Sequence, residues 1–259
     1  MSKSKKKSFR GIKLLVILLI IVAVIAGGVF GFIKYKESKN KMSLEQVVEI
    51  SRDFEETEEE TPEPESPINF DEIRKSNEDI VAWIEVPGTA IDYPILQSSE
   101  DMEEDFYLNH NLDGSGGLPG CIYIQKFQSP DFSDLATIVY GHNMKDGTMF
   151  RDLHKFEDLK FYEEHDEIIV YTPTDVKKYR IVAAVNYDDR LIPHSFNNFA
   201  EKKDLWDFLG SVSLQGNTVT NHQVVGEDIY QADQYIVLST CTAKSDVRYL
   251  VIGEIIEGE

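Results

Sequence analysis

Three hydrophobic regimes follow one another along this chain, and each predicts a different kind of structure. Residues 14–33 form one unbroken apolar run of 20 positions without a charge or a proline. At about 1.5 Å rise per residue, a helix of that length crosses the ~30 Å hydrocarbon core of a bilayer. Residues 55–67 invert the pattern, containing only Glu, Thr, Pro and Ser. Such a stretch has no apolar surface to bury against its ordering entropy, and its charges repel, so it predicts an extended spacer. From residue 70 onward, short apolar runs rich in β-branched and aromatic residues alternate with turn signals.

Eight such runs are strand candidates: 81–86, 91–96, 121–125, 137–140, 167–171, 179–187, 235–238 and 248–255. Pro87-Gly88, Asp113-Gly114, Asp146-Gly147 and Gln215-Gly216 punctuate them, which predicts an antiparallel sheet or barrel rather than βαβ repeats. One segment has a different period. Phe199, Leu205, Trp206, Phe208 and Leu209 recur at near-helical spacing over 199–214, predicting one amphipathic helix packed on the sheet. Asn69 is placed to cap a short helix over 70–75, with Asp71 and Glu72 suited to the positive end of its dipole. Residues 44–50 predict a further short amphipathic helix. The chain therefore divides into a basic tail (1–13), a transmembrane anchor (14–33), an acidic Pro/Glu-rich spacer (34–68) and a mainly β domain (69–259) small enough for a single core.

Charge refines this picture. Lys3, Lys5, Lys6, Lys7, Arg10 and Lys13 precede the apolar run, and the positive-inside rule then places the N-terminus in the cytoplasm and everything after residue 33 outside. Lys34, Lys36, Lys39 and Lys41 flank the other side, so the bias is modest. Ala23, Ala26, Gly27 and Gly28 offer a signal-peptidase alternative, but 20 apolar residues exceed the usual ~7–15-residue signal core. All 46 acidic residues lie beyond residue 33, against 20 of the 26 basic ones, a balance of −26. Polyanion binding needs clustered Lys and Arg, so nucleic acid is excluded as a partner. No glycine-rich phosphate loop or metal-ligand spacing is present, and no cofactor is expected. The acidic run 100–105 reads as a solvated charge run rather than a calcium loop.

The chemistry concentrates late in the chain. Residues 235–242 run as a strand into a hydroxyl-rich end that carries Cys241, and Arg248 opens the next apolar run, so paired strands return a cation to the sulfur. His142 follows an earlier strand and Gly141, placed to serve as base or acid; imidazole or guanidinium nearby stabilises the reactive thiolate. Five other histidines (His110, His154, His165, His194, His222) compete for that role on sequence alone. Arg248 has the bland alternative of a surface ion pair with Asp246 or Glu254. A Cys121–Cys241 disulfide is the structural alternative for the exported thiol, although Cys121 opens an apolar strand and suits a buried packing role.

These residues resemble the sortases, cysteine transpeptidases of Gram-positive cell surfaces. The family carries a Thr-Leu-x-Thr-Cys strand end, a histidine after an earlier strand and an arginine opening the last strand. Here they read Val237-Leu-Ser-Thr-Cys241, Gly141-His142-Asn143 and Arg248, departing from the pattern only at Val237. Residues 77–97, 107–110 and 139–144 look like class B sortases in particular, and the likeness spans roughly 70–256. The resemblance implies an eight-stranded β-barrel with an N-terminal helix and a helix inserted between the sixth and seventh strands. It further implies Cys241 as nucleophile, His142 as acid and base, Arg248 as oxyanion donor or substrate clamp, and Thr240 and Asn109 as substrate-binding residues. The implied reaction cleaves a C-terminal sorting signal of exported proteins and passes the thioacyl group to a peptidoglycan amine. A pilin lysine as acceptor, a hydrolysing cysteine peptidase and a non-catalytic tethered module are the alternatives.

Overall fold

Strand β8 (Tyr235–Cys241) shows how the barrel divides its side chains. Ile236 and Leu238 point into one buried cluster, with Ile84, Val139 and Val251, while Tyr235 and Val237 point into another, with Ile138, Val182 and Ile252. Both faces of the strand are covered, which is why its sequence reads as an unbroken apolar run rather than an alternation.

A computed structural model describes residues 3–52, 66–224 and 229–256. The strands are β1 (Ile80–Glu85), β2 (Asp92–Gln97), β3 (Ile122–Ile124), β4 (Ala136–Tyr140), β5 (Glu167–Tyr171), β6 (Val176–Asp188), β7 (His222–Gln223), β8 and β9 (Val247–Ile255). Their order is β5-β1-β2-β3-β4-β8-β9-β6, and β6 pairs back onto β5, closing an eight-stranded barrel. These eight are the eight predicted apolar runs. The ninth, β7, is a two-residue rung on β6, too short to carry a period.

One expectation needs correction. The sheet is mixed rather than antiparallel, because β2 pairs parallel to β3 and β4 parallel to β8. The chain from β2 to β3 carries a helical turn, and that from β4 to β8 passes through β5, β6 and β7, so both pairs have the long connection that parallel neighbours require.

Five α-helices among the described residues accompany the barrel: α1 (Lys3–Ile50), α2 (Phe70–Ile73), α3 (Leu159–Glu164), α4 (Ile192–Ser195) and α5 (Lys202–Ser213). The Asn69 side chain accepts from the Glu72 backbone N–H and caps α2 as expected. Helix α5, between β6 and β8, lays Leu205, Phe208, Leu209 and Val212 onto the outer barrel face and leaves Trp206 half exposed to solvent. Each such buried side chain contributes about 1.5–3 kcal/mol.

Within α1, Leu18–Tyr35 is long and apolar enough to cross a membrane, with mean hydropathy 2.3 and no protein covering it. The helix does not stop there. It runs on to Ile50, through the first part of the span read as spacer, and the helix predicted for 44–50 is its continuation. Val47 is buried against Ile73, Ile80 and Trp83. Arg52 then makes a two-pronged bond to Asp92, which also accepts from the Trp83 indole N–H at 2.6 Å. The predicted extended spacer at 55–67 lies, up to residue 65, outside the described residues. Ser66 and Ile68 beyond it are buried against the domain.

Candidate active site

The parallel strands β4 and β8 end at the same rim of the barrel. At Gly141, directly after β4, a Cβ would sit 2.4 Å from Ile122 Cδ1 and 2.7 Å from the Phe150 ring, so only glycine lets the chain leave the strand so tightly. His142 follows immediately. Its carbonyl accepts from the Phe150 N–H at 2.9 Å, and its Nε2 donates to the Leu108 carbonyl at 2.8 Å. A carbonyl only accepts, so Nε2 carries the hydrogen and Nδ1 is the nitrogen left for proton exchange in the neutral ring.

Cys241 is the last residue of β8, exposed, and opposite Arg248 in the β8–β9 register. Arg248 donates through Nη1 to the carbonyls of Ser245 (2.9 Å) and Val247 (3.3 Å). Those bonds aim the guanidinium and leave Nη2 and Nε without a partner among the described residues. Glu254, one of the carboxylates considered for Arg248 on sequence, is taken instead by Arg180 on the neighbouring strand. Arg248 makes no ion pair among the described residues.

Cys241, His142 and Arg248 all line one cavity of about 400 Å³, with Thr240, Leu108, Tyr123, Tyr140 and Ile192 on its walls. Glu104 and Asp105, from the acidic run at 100–105, and Asp189 line it as well. Thr240 is buried, and its hydroxyl donates to the Gly141 carbonyl at 2.8 Å, so it ties β8 to the His142 segment as well as facing the cavity. Asn109 is not brought to this site. It is exposed at the end of a helical turn over Phe106–Leu108, and its neighbour Leu108 reaches the cavity instead.

The competing histidines separate cleanly. His110 stacks on Phe106, His165 stacks on Phe161, His222 is buried and donates to the Glu157 carbonyl, and His194 lies 3.9 Å from Glu104. Of the six, only His142 lines the cavity that holds Cys241. The disulfide alternative falls as well, since both thiols are free and Cys121 is buried. Burial, and after it the Asp113 carboxylate, pushes the Cys121 thiol far up, leaving it inert.

Two residues with no assigned role in the sequence reading also belong here. Asn143 Nδ2 donates to the Cys241 carbonyl at 2.9 Å, and His154 Nε2 lies 3.0 Å from the same oxygen. The one available signal was that Asn143 directly follows His142.

This arrangement, an exposed thiol with an imidazole and a guanidinium at one barrel rim, is that of a cysteine acyl-transfer enzyme. Residues 84–256 match the Sortase domain family, and the chain belongs to it. Sortase B of Listeria monocytogenes is 30% identical over 256 residues, 97% of this chain and 99% of the relative. The structure of a Staphylococcus aureus sortase B–substrate complex aligns with a TM-score of 0.61 at 26% identity, covering 73% of this chain and 85% of that one. Sortase B from B. anthracis shares the fold with a TM-score of 0.66 at 23% identity, over 85% and 98% of the two chains. The protein is a sortase of class B.

Proposed function

We propose that this sortase cleaves a C-terminal sorting signal of exported proteins through a thioacyl intermediate on Cys241 and transfers the acyl group to a peptidoglycan amine. The observation that carries the reading is the shared cavity, where the exposed Cys241 stands opposite Arg248 in the strand register and His142 lines the same space.

The steps use only these groups. The Cys241 thiolate attacks the scissile carbonyl carbon; a C–S bond forms and the carbonyl oxygen takes the electron pair. The unpartnered Arg248 nitrogens donate to that oxyanion. As the C–N bond breaks, the imidazolium of His142 gives its Nδ1 proton to the leaving amine. An incoming amine then attacks the thioester, loses a proton to His142 and expels the thiolate. The apolar wall of Leu108, Tyr123 and Ile192 suits an extended peptide next to the sulfur.

The relatives support the partner classes: one sortase B structure holds a substrate and another is complexed with a glycine tripeptide. The apolar stretch of α1 then serves as a single-pass anchor, with the basic N-terminus in the cytoplasm and the barrel outside.

Mass spectrometry of the protein with Pro- and Thr-containing pentapeptides of the Asn-Pro-x-Thr-x type tests the reading. A Cys241 thioacyl adduct that resolves to an amide with added triglycine is expected. Free acid as the sole product would make it a peptidase, and no adduct with any such peptide would sink the transpeptidase reading. Since one class B relative, from Streptococcus pyogenes, is involved in pilus biogenesis, lysine is the second amine to offer; exclusive use of lysine would reassign the acceptor to a pilin.

A further inference from the structure

The ladder between β4 and β8 runs out just where the nucleophile sits. Tyr140 is the last residue of β4 and lies opposite Ser239. One step on, the Gly141 N–H still donates to the Ser239 carbonyl at 3.2 Å. A parallel ladder repeats every two residues, so the next donor due is the Asn143 N–H, to the carbonyl of Cys241. The backbone at Asn143 has turned away by then and bridges Met149 instead.

A side chain takes over the missing bond. Asn143 Nδ2 donates one hydrogen to the Cys241 carbonyl at 2.9 Å and the other to His154 Nε2, also at 2.9 Å. Both side chains are themselves held. Asn143 Oδ1 accepts from Arg151 Nη1 at 3.0 Å, while His154 Nδ1 donates to Glu157 Oε1 at 2.6 Å, which leaves Nε2 as the acceptor in the neutral ring, and the ring stacks on Tyr249 at 5.2 Å. Together with the Thr240 hydroxyl on the Gly141 carbonyl, these bonds tie residues 239–241 to residues 141 and 143. His142 stands between the two tie points.

We propose that Asn143 and His154 are positioning residues: Asn143 is a side-chain clamp on the Cys241 carbonyl that keeps its thiol in register with His142, and His154 holds the Asn143 amide in place. The proposal rests on the reading of Cys241 and His142 as the reacting pair. Neither clamp residue lines the cavity that would take the sorting signal; both line a separate groove, with Thr242 and Val247. The clamp therefore acts on the chemical step and not on peptide binding. A displacement of about 1 Å between reacting groups can cost about 10²-fold in rate.

The test is steady-state and single-turnover kinetics of sorting-peptide cleavage for Asn143→Ala, His154→Phe and His154→Gln beside the wild type. Phenylalanine keeps a ring on Tyr249 and removes the acceptor that holds the Asn143 amide, whereas glutamine restores one in its Oε1. Expected are kcat values lowered about 10–100-fold in Asn143→Ala and His154→Phe with KM nearly unchanged, and partial recovery in His154→Gln. Unchanged kcat, or a loss confined to KM, in variants whose melting curves match the wild type would overturn the clamp. Asn143→Ala carries the comparison alone should the phenylalanine variant not fold. A wild-type protein that forms no thioacyl adduct would overturn the underlying reading and the clamp with it, whereas a wild-type adduct beside fully active variants defeats the clamp alone.

Discussion

Cys241 and Arg248 face one another across the antiparallel β8–β9 pair, at its open end, although six residues separate them in sequence. Cross-strand neighbours have Cβ atoms about 4.5–5.5 Å apart. The cation is thus delivered to the sulfur by strand register rather than by a flexible loop.

Arg248→Lys should lower kcat/KM by about 10²–10³-fold, because lysine lacks the planar fork that lets one nitrogen bond Ser245 and Val247 while the others remain to donate to substrate. Peptide-cleavage kinetics check this. Turnover close to that of the wild type would remove the oxyanion or clamp role.

The two thiols should differ sharply in reactivity. Cys241 is exposed, whereas the Cys121 thiol is buried and held in its neutral form. Iodoacetamide under native, mildly alkaline conditions should add one equivalent, at Cys241, and Cys241→Ala should label only after unfolding in urea. Rapid native labelling of Cys121, read by peptide mapping, would contradict the burial.

Asp92 holds a buried indole and an exposed arginine, and the two roles separate energetically. Asp92→Ala strands the Trp83 N–H in the interior and should cost about 1–3 kcal/mol. Arg52→Ala removes only partly exposed ion pairs, with Asp92 and Glu85, and should cost less than about 1 kcal/mol. Urea denaturation midpoints compare them, and an equal or reversed order would refute the assignment.

Alkaline stability should follow the buried phenols. Burial pushes Tyr162, Tyr171 and Tyr235 up to about 12 from the ordinary 10.0, with Glu85 adding to the shift at Tyr171. Above pH 10 the unfolded chain releases these protons while the folded one keeps them. Their stabilisation is therefore complete below pH 10 and is lost as pH rises through about 12. Phenolate absorbance should show these three groups silent near pH 10 in the folded protein; a full titration of all 12 tyrosines there would refute it.

Much of this architecture was legible in the chain. Runs such as 167–171 and 235–238 are apolar, β-branched and bounded by turns, and local composition suffices to make them strands. Which strand lies beside which was not legible: nothing in residues 136–140 says that they pair parallel to 235–239. Nor does any local pattern mark His222–Gln223 as a rung, or Asn109 as a residue left outside the cavity.

The amino-acid order by itself determined the long apolar helix, the strand-forming segments and the presence of one thiol at a polar strand end. Those properties depend on neighbours within a few residues, through periodicity, turn chemistry and hydropathy. The tertiary structure alone decided which of six histidines lines the cavity with Cys241, which carboxylate leaves Arg248 free, and which side chain grips the Cys241 carbonyl. Those outcomes turn on barrel closure, which brings residues about a hundred positions apart within hydrogen-bonding distance.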